Sequence, residues 1–164
     1  MKILIASDNH GDHEALLNLI VQSDDDIDVF IHCGDSELAE DDTIWGIFHT
    51  VQGNMDYAHF KDAISLATPE GKIVVTHGHL YDANRGVDKL VDLAKANDAE
   101  VVLYGHTHKM DEQDIDGVKV INPGSISQPR GKYSYPSFAI LDWTNGQKEV
   151  TFYNKDWEVI NEIG

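Results

Sequence analysis

Lys2-Ile3-Leu4-Ile5-Ala6-Ser7-Asp8-Asn9-His10 is the stretch whose reading decides the fold. Ile3 to Ala6 is an unbroken apolar run, the pattern of a short strand buried on both faces. It stops at Ser7-Asp8, and residues able to bind a ligand follow at once. The same order recurs four times. Val29-Phe30-Ile31 runs toward Gly34-Asp35, and Phe48 to Val51 toward Gly53-Asn54. Ile73 to Thr76 leads to His77-Gly78-His79, and Val101 to Tyr104 to Gly105-His106-Thr107-His108. In open α/β sheets ligands bind outside the carboxyl ends of the strands. One sheet edge can therefore gather five polar clusters that lie far apart in the chain.

The intervening segments support this class. Asp12 or a neighbour can cap a helix carrying Leu16, Leu17, Leu19 and Ile20 on one side. Asp24-Asp25-Asp26 breaks that pattern. Asp88 to Ala96 reads as a second helix, with Leu90, Val91, Leu93 and Ala94 on its inner face. No helix is expected after Ala96. Val118 to Ile121, Ser137 to Leu141 and Glu149 to Tyr153 read as strands, with turns at Asp116-Gly117 and Asn145-Gly146. No repeat or change of composition marks a linker. The expectation is one α/β domain over residues 1–164.

Charge narrows the partners. The 164 residues include 29 acids against 12 bases, a formal charge of −17, with no basic run or basic helix face. Nucleic-acid binders neutralise phosphates with Lys and Arg, so DNA and RNA are not expected partners, and a nuclease is disfavoured. A small anionic substrate remains compatible if metal ions supply local positive charge. No apolar run of membrane-spanning length occurs. Cys33 is the lone cysteine, which excludes an intrachain disulfide. A reduced, cytoplasmic setting is expected, and a homo-oligomer is compatible with the composition.

The five clusters offer seven metal ligands: Asp8, His10, Asp35, Asn54, His77, His106 and His108. Such a set suits two adjacent divalent ions, which at about 3.5–4 Å apart can clamp a phosphate and activate water. Mixed imidazole and carboxylate ligands favour Mn, Ni, Co, Fe or Zn over Ca. Asp8 and His10 alternate along an extended strand end, so both side chains can point the same way, and His106 and His108 repeat that geometry.

These motifs, with Asn122-Pro123-Gly124-Ser125, closely resemble the calcineurin-like metallophosphoesterase family, signature D-x-H, G-D, G-N-H-[D/E], H, G-H-x-H. The similarity is greatest to its small single-domain bacterial and archaeal phosphodiesterase branch and covers residues 1 to about 142. The resemblance implies a β-sandwich of mixed sheets flanked by helices, with a dimetal site at the strand ends. It implies that Asp8, His10 and His108 hold one metal, that Asn54, His77 and His106 hold the other, and that Asp35 bridges. Two divalent ions, Mn foremost, and a small phosphoester substrate are then expected. The implied reaction is hydrolysis of a phosphodiester, or of a monoester, by a metal-bound hydroxide.

One position departs from the signature. Met55 stands where the family has a His that assists the leaving group, and a thioether donates no proton. Asp56 remains as a candidate catalytic residue, without its usual imidazole partner. His79 is the leading substitute acid, and His13, at a helix start, is a weaker one. Met55 also motivates the alternative, a catalytically weak or inactive protein-interaction scaffold on the same fold. His32 and Cys33 read as buried strand residues, and His49 and His59 as surface residues. Arg85 and Arg130 could meet a phosphate, although each reads first as a surface charge.

Overall fold

Successive side chains of a strand point to opposite faces, so a strand without polar alternation needs cover on both sides. The computed structural model, which describes residues 1–163, supplies that cover. The elements are β1 (Lys2–Ala6), α1 (His13–Gln22), β2 (Val29–His32), β3 (Phe48–His49), β4 (Ala63–Ala67) and β5 (Lys72–Thr76). They continue with α2 (Asp88–Ala96), β6 (Val101–Leu103), β7 (Met110–Ile115), β8 (Val118–Pro123), β9 (Ser137–Thr144), β10 (Gln147–Asn154) and β11 (Val159–Ile160). One sheet has the order β11-β10-β9-β1-β2-β3, the other β4-β5-β6-β8-β7. Both are mixed: β1 pairs parallel with β2 and antiparallel with β9, while β6 is parallel to β5 and β8.

The two sheets face each other across one core. Ile3 and Ile5 of β1 point into it with Val101 and Leu103 of β6, Ile121 of β8 and Trp143 of β9. The alternate residues turn outward onto helices. Leu4 and Ala6 pack with Ala15, Leu16 and Leu19 of α1, and Val74, Val102 and Val120 pack with Leu90, Val91 and Ala94 of α2. The layering is helix, sheet, sheet, helix, as the family resemblance implies. Asp12 caps α1 as expected, its Oδ1 accepting the Ala15 N–H at 3.1 Å. No helix of the described residues is long and apolar enough to cross a membrane.

Three differences from the sequence reading have physical causes. β3 pairs with β2 only at Phe48 and His49, so it ends before Val51, and Gly53-Asn54 belongs to a loop. β4, β7 and β11 carry no decisive apolar run. β7, Met-Asp-Glu-Gln-Asp-Ile, lies at the sheet edge and pairs only with β8, where a polar strand is tolerated and discourages edge-to-edge association. Asp8, His10, His106 and His108 do not continue their strands, because β1 ends at Ala6 and β6 at Leu103 and all four residues have positive φ.

Phe138 is fully buried, stacked on Tyr153 at 5.4 Å and edge-on to Trp157 at 4.8 Å. Phe138→Ala is expected to cost about 3–5 kcal/mol, read as a lowered urea midpoint in the presence of a chelator.

Candidate metal centre

The chain leaves each strand of the site by turning sharply. Asp8, His10, Asp35, His106 and His108, five of the seven expected ligands, have φ between 42° and 71°. This left-handed region is uncommon for residues with a Cβ. The extended alternation expected for Asp-x-His and His-x-His is therefore corrected: tight turns, not pleating, aim these side chains. Each such residue costs about 1–3 kcal/mol and persists only where its surroundings enforce it.

The enforcing frame is visible. Asp8 N–H donates to Gly34 O at 3.1 Å, His10 N–H to Asp35 O at 3.1 Å and Gly11 N–H to Ser36 O at 2.7 Å, so the segments after β1 and β2 stay joined. Ser125 and Ser127 donate their hydroxyls to Asp8 O at 2.7 and 3.0 Å. The Asn122 amide donates to Gly105 O and Thr107 Oγ1, both at 3.0 Å, and so holds the Gly-His-Thr-His turn. Asp56 accepts the N–H groups of Gly53, Asp35 and Glu37 at 2.7, 3.1 and 2.8 Å. Both its oxygens are thus occupied in fastening the Asn54 loop to the Asp35 loop. Gly53 permits that closeness, since a Cβ there would lie 2.1 Å from Asp35 Oδ1.

His32 completes the frame. Burial drives its pKa down to about 4, so it is neutral. Its Nε2–H donates to Asn9 Oδ1 at 2.8 Å, and its Nδ1 accepts from Gly34 N–H at 3.1 Å and the Thr50 hydroxyl at 2.9 Å. Cys33 is buried, and that burial raises its thiol pKa. It is a core side chain, as the sequence suggests.

The side chains then converge. His10 Nδ1 faces Glu37 Oε1 at 2.7 Å, and His108 Nδ1 faces the Gln128 carbonyl at 2.7 Å. Both partners accept, so in the neutral rings both Nδ1 atoms carry the hydrogen. The Nε2 lone pairs are left facing each other at 3.1 Å, with Asp8 Oδ1 at 3.9 and 3.4 Å from them. A proton can relieve one of these contacts, whereas a divalent cation satisfies all three. Outer hydrogen bonds of this kind commonly orient metal-ligating histidines. The residues present fit a metal. Two groups of potential ligand atoms lie within 4.8 Å of one another, Asp8-His10-His108 and Asp8-Asp35-His77, sharing Asp8.

His77 Nε2 stands 3.0 Å from Asp8 Oδ1 and 3.3 Å from Asp35 Oδ2. Burial opposes its imidazolium form, but the Asp35 and Asp8 carboxylates outweigh that and lift its pKa to about 9. Burial likewise opposes charge on Asp8 and Asp35. His77, as donor and as charge, and the Ser7 hydroxyl hold Asp8 below the usual carboxylate range, and His77 does so for Asp35.

The remaining expected residues lie at the margin. The His106 ring is 5.0 Å from that of His77, and its Nε2 pairs with the Asn84 amide at 3.0 Å. Asn54 is exposed, brought beside Asp35 by its loop, where Met55 N–H donates to Asp35 Oδ1 at 2.8 Å. His79 is half-buried with its Nδ1 3.1 Å from His77 Nδ1. His13 instead meets Asp42 at 3.1 Å. Sequence reasoning missed Glu37, whose position two residues beyond Asp35 was the available signal. It also missed Gln128, which acts through a main-chain carbonyl and leaves no signal.

Comparison with known proteins agrees with the geometry. The calcineurin-like phosphoesterase superfamily domain matches residues 1–146. The chain belongs to that superfamily. A relative in Bacillus subtilis, named probable metallophosphoesterase YsnB, is 36% identical over 99% of this chain and 96% of its own length. A Methanocaldococcus jannaschii protein named a phosphodiesterase is 30% identical over 76% of this chain and 83% of its own. The crystal structure of a predicted phosphoesterase from Streptococcus pneumoniae superimposes with a TM-score of 0.93 at 34% identity, covering 99% of this chain and 94% of that one.

Folding raises the His77 pKa from 6.5 to about 9, so the stability it contributes is complete below pH 6.5 and lost as pH rises through about 9. The melting temperature of chelator-treated protein is expected to fall across that window, and His77→Gln to flatten the fall. A profile rising with pH in the wild type contradicts this.

Proposed function

We propose that the chain is a dimetal phosphodiesterase, with monoesters as a secondary possibility, loaded with Mn or with Ni, Co, Fe or Zn. The observation that carries the reading is the pair of imidazole lone pairs facing each other and Asp8 with no donor between them. The phosphodiesterase name of the archaeal relative supports a diester substrate.

In this reading Asp8, His10 and His108 would hold one ion and Asn54, His77 and His106 the other, with Asp35 available to both. A bound pair of this kind lowers the pKa of water and offsets charge on the phosphate. The protein's part is positioning. Glu37 and the Gln128 carbonyl fix the His10 and His108 rings. Asp56 acts on the Asn54 loop through backbone N–H groups. His79, rather than Met55, is the residue that would hydrogen-bond the leaving oxygen; burial lowers its pKa and favours the neutral ring. Accepting the His77 Nδ1–H through its own Nδ1 leaves its Nε2–H free to donate.

One observation favours a second reading, a binding scaffold. Met55 and Tyr57 are 55% and 68% exposed on the loop fastened to Asp35, an apolar edge beside the site.

Metal-free protein reloaded with each ion is to be assayed on bis(p-nitrophenyl) phosphate and p-nitrophenyl phosphate. Metal-dependent diester turnover is expected, and Asp35→Ala is expected to lower it by more than the roughly 100-fold typical of losing an outer partner. His79→Gln is expected to slow a methyl p-nitrophenyl diester little when nitrophenolate leaves, and dialkyl esters more. Two ions bound per chain without turnover of any ester overturns the enzyme reading and favours the scaffold.

A further inference from the structure

A groove of about 430 Å³ opens beside the Gly105–His108 turn, within the size range of pockets that enclose nucleotide-sized ligands. Asn84, whose amide holds His106 Nε2, and Thr107, between His106 and His108 in the chain, form its inner wall. Its outer wall carries Lys109, Arg130 and Lys132, with Tyr133.

That concentration of cations is unusual in a chain of charge −17. Of the other nine bases, Lys2, Lys89, Lys95 and Lys119 each sit on a carboxylate, and Lys61, Lys72, Arg85, Lys148 and Lys155 are scattered over the surface without one. Among the described residues Lys109, Arg130 and Lys132 form no ion pair. The lining contains one carboxylate, Asp111, and its Oδ2 accepts the Tyr104 hydroxyl at 2.7 Å and the Gln113 amide at 2.8 Å. The Tyr133 hydroxyl reaches Glu162. The cationic wall is also tied to the metal centre. Arg130 N–H donates to His108 O at 3.0 Å, and Gly131 packs on Lys109 so closely that a Cβ there would lie 3.2 Å from Lys109 Cγ.

We propose that this groove binds a second phosphate of the substrate, carried on the part of the ester remote from the scissile bond. The inference rests on the phosphodiesterase reading above. The scissile phosphate belongs at the convergent ligands; none of these lines the groove, but Thr107, one residue from either histidine in the chain, and Asn84, bonded to His106, both do. What extends past that turn meets three cations without a carboxylate partner, Lys132 lying over the Tyr133 ring at 5.6 Å, and together they create a local positive field in an acidic protein. Arg130 offers the planar fork that matches phosphate oxygens. Arg85, the other arginine singled out in the sequence, lies instead beside Asp82, Asp88 and Lys89.

The test uses matched probes, with and without Mn²⁺. Thymidine 3′,5′-bisphosphate is expected to bind about tenfold or more tighter than thymidine 5′-monophosphate by calorimetry. In the Arg130→Glu/Lys132→Glu variant that ratio is expected to fall to about one, while Lys155→Glu, outside the groove, keeps it. In turnover, the p-nitrophenyl ester of thymidine 5′-phosphate is expected to gain about tenfold in kcat/KM when it also bears a 3′-phosphate. Equal affinities, or a preference that survives the double charge reversal, overturns the proposal. A bisphosphate preference lost in the double variant, with neither ester hydrolysed, upholds the groove and overturns the hydrolase. Equal hydrolysis of both esters does the reverse.

Discussion

The buried carboxylate of Asp8 is the constraint around which the molecule is arranged. It is 0% exposed, and a buried charge is costly unless paired and hydrogen-bonded. Its Oδ2 accepts from the Ser7 hydroxyl at 2.5 Å and the His106 N–H at 3.1 Å. Its Oδ1 faces His77, His108 and His10 at 3.0, 3.4 and 3.9 Å. Its backbone binds Gly34, Ser125 and Ser127. The ends of β1, β2, β5, β6 and the segment after β8 are thereby held around one atom group. The order of the sheets follows from the same need, because β1 runs beside β2 and beside β9 within its sheet and faces β5 and β6 across the core.

A second consequence concerns strain. Left-handed backbone at five ligand positions is unfavourable for an isolated loop. Here every such turn is answered by hydrogen bonds from a neighbouring segment, and His32, Asp56 and Asn122 serve that purpose from buried or half-buried positions. The site is thus built on loops yet behaves as part of the sheet edge. Close approaches reinforce it: a Cβ on Gly105 would lie 2.2 Å from Ser7 Oγ, so a bulkier residue there would push the turn off Asp8.

Much of this was readable from residue order, because burial on both faces leaves continuous apolar runs, and β1, β2, β5 and β6 have them. α2 coincides with the expected Asp88–Ala96, and α1 begins at the Asp12 cap. β4 and β7 escaped notice because edge strands can be half-polar without losing their ladder bonds. β11 escaped because two residues carry no periodicity. At the site the ligand types were legible and their approach was not. Alternation along a strand suggested how Asp8 and His10 reach one point, but the strand had already ended at Ala6.

The sequence by itself determined the chemistry available: seven candidate ligands in five polar clusters, an excess of acids, and a Met where a proton donor is customary. The tertiary structure alone decided which nitrogen of each histidine carries its hydrogen, because that depends on acceptors such as Glu37 and the Gln128 carbonyl, distant in the chain from the rings they orient. It alone decided that Asp8 is common to both ligand groups. It also turned Asp56 into a fastener of loops and set Lys109, Arg130 and Lys132 along one groove. The physical reason is the same in each case. Residue types follow from local order, whereas lone-pair direction, burial and field depend on which segments the two sheets bring together.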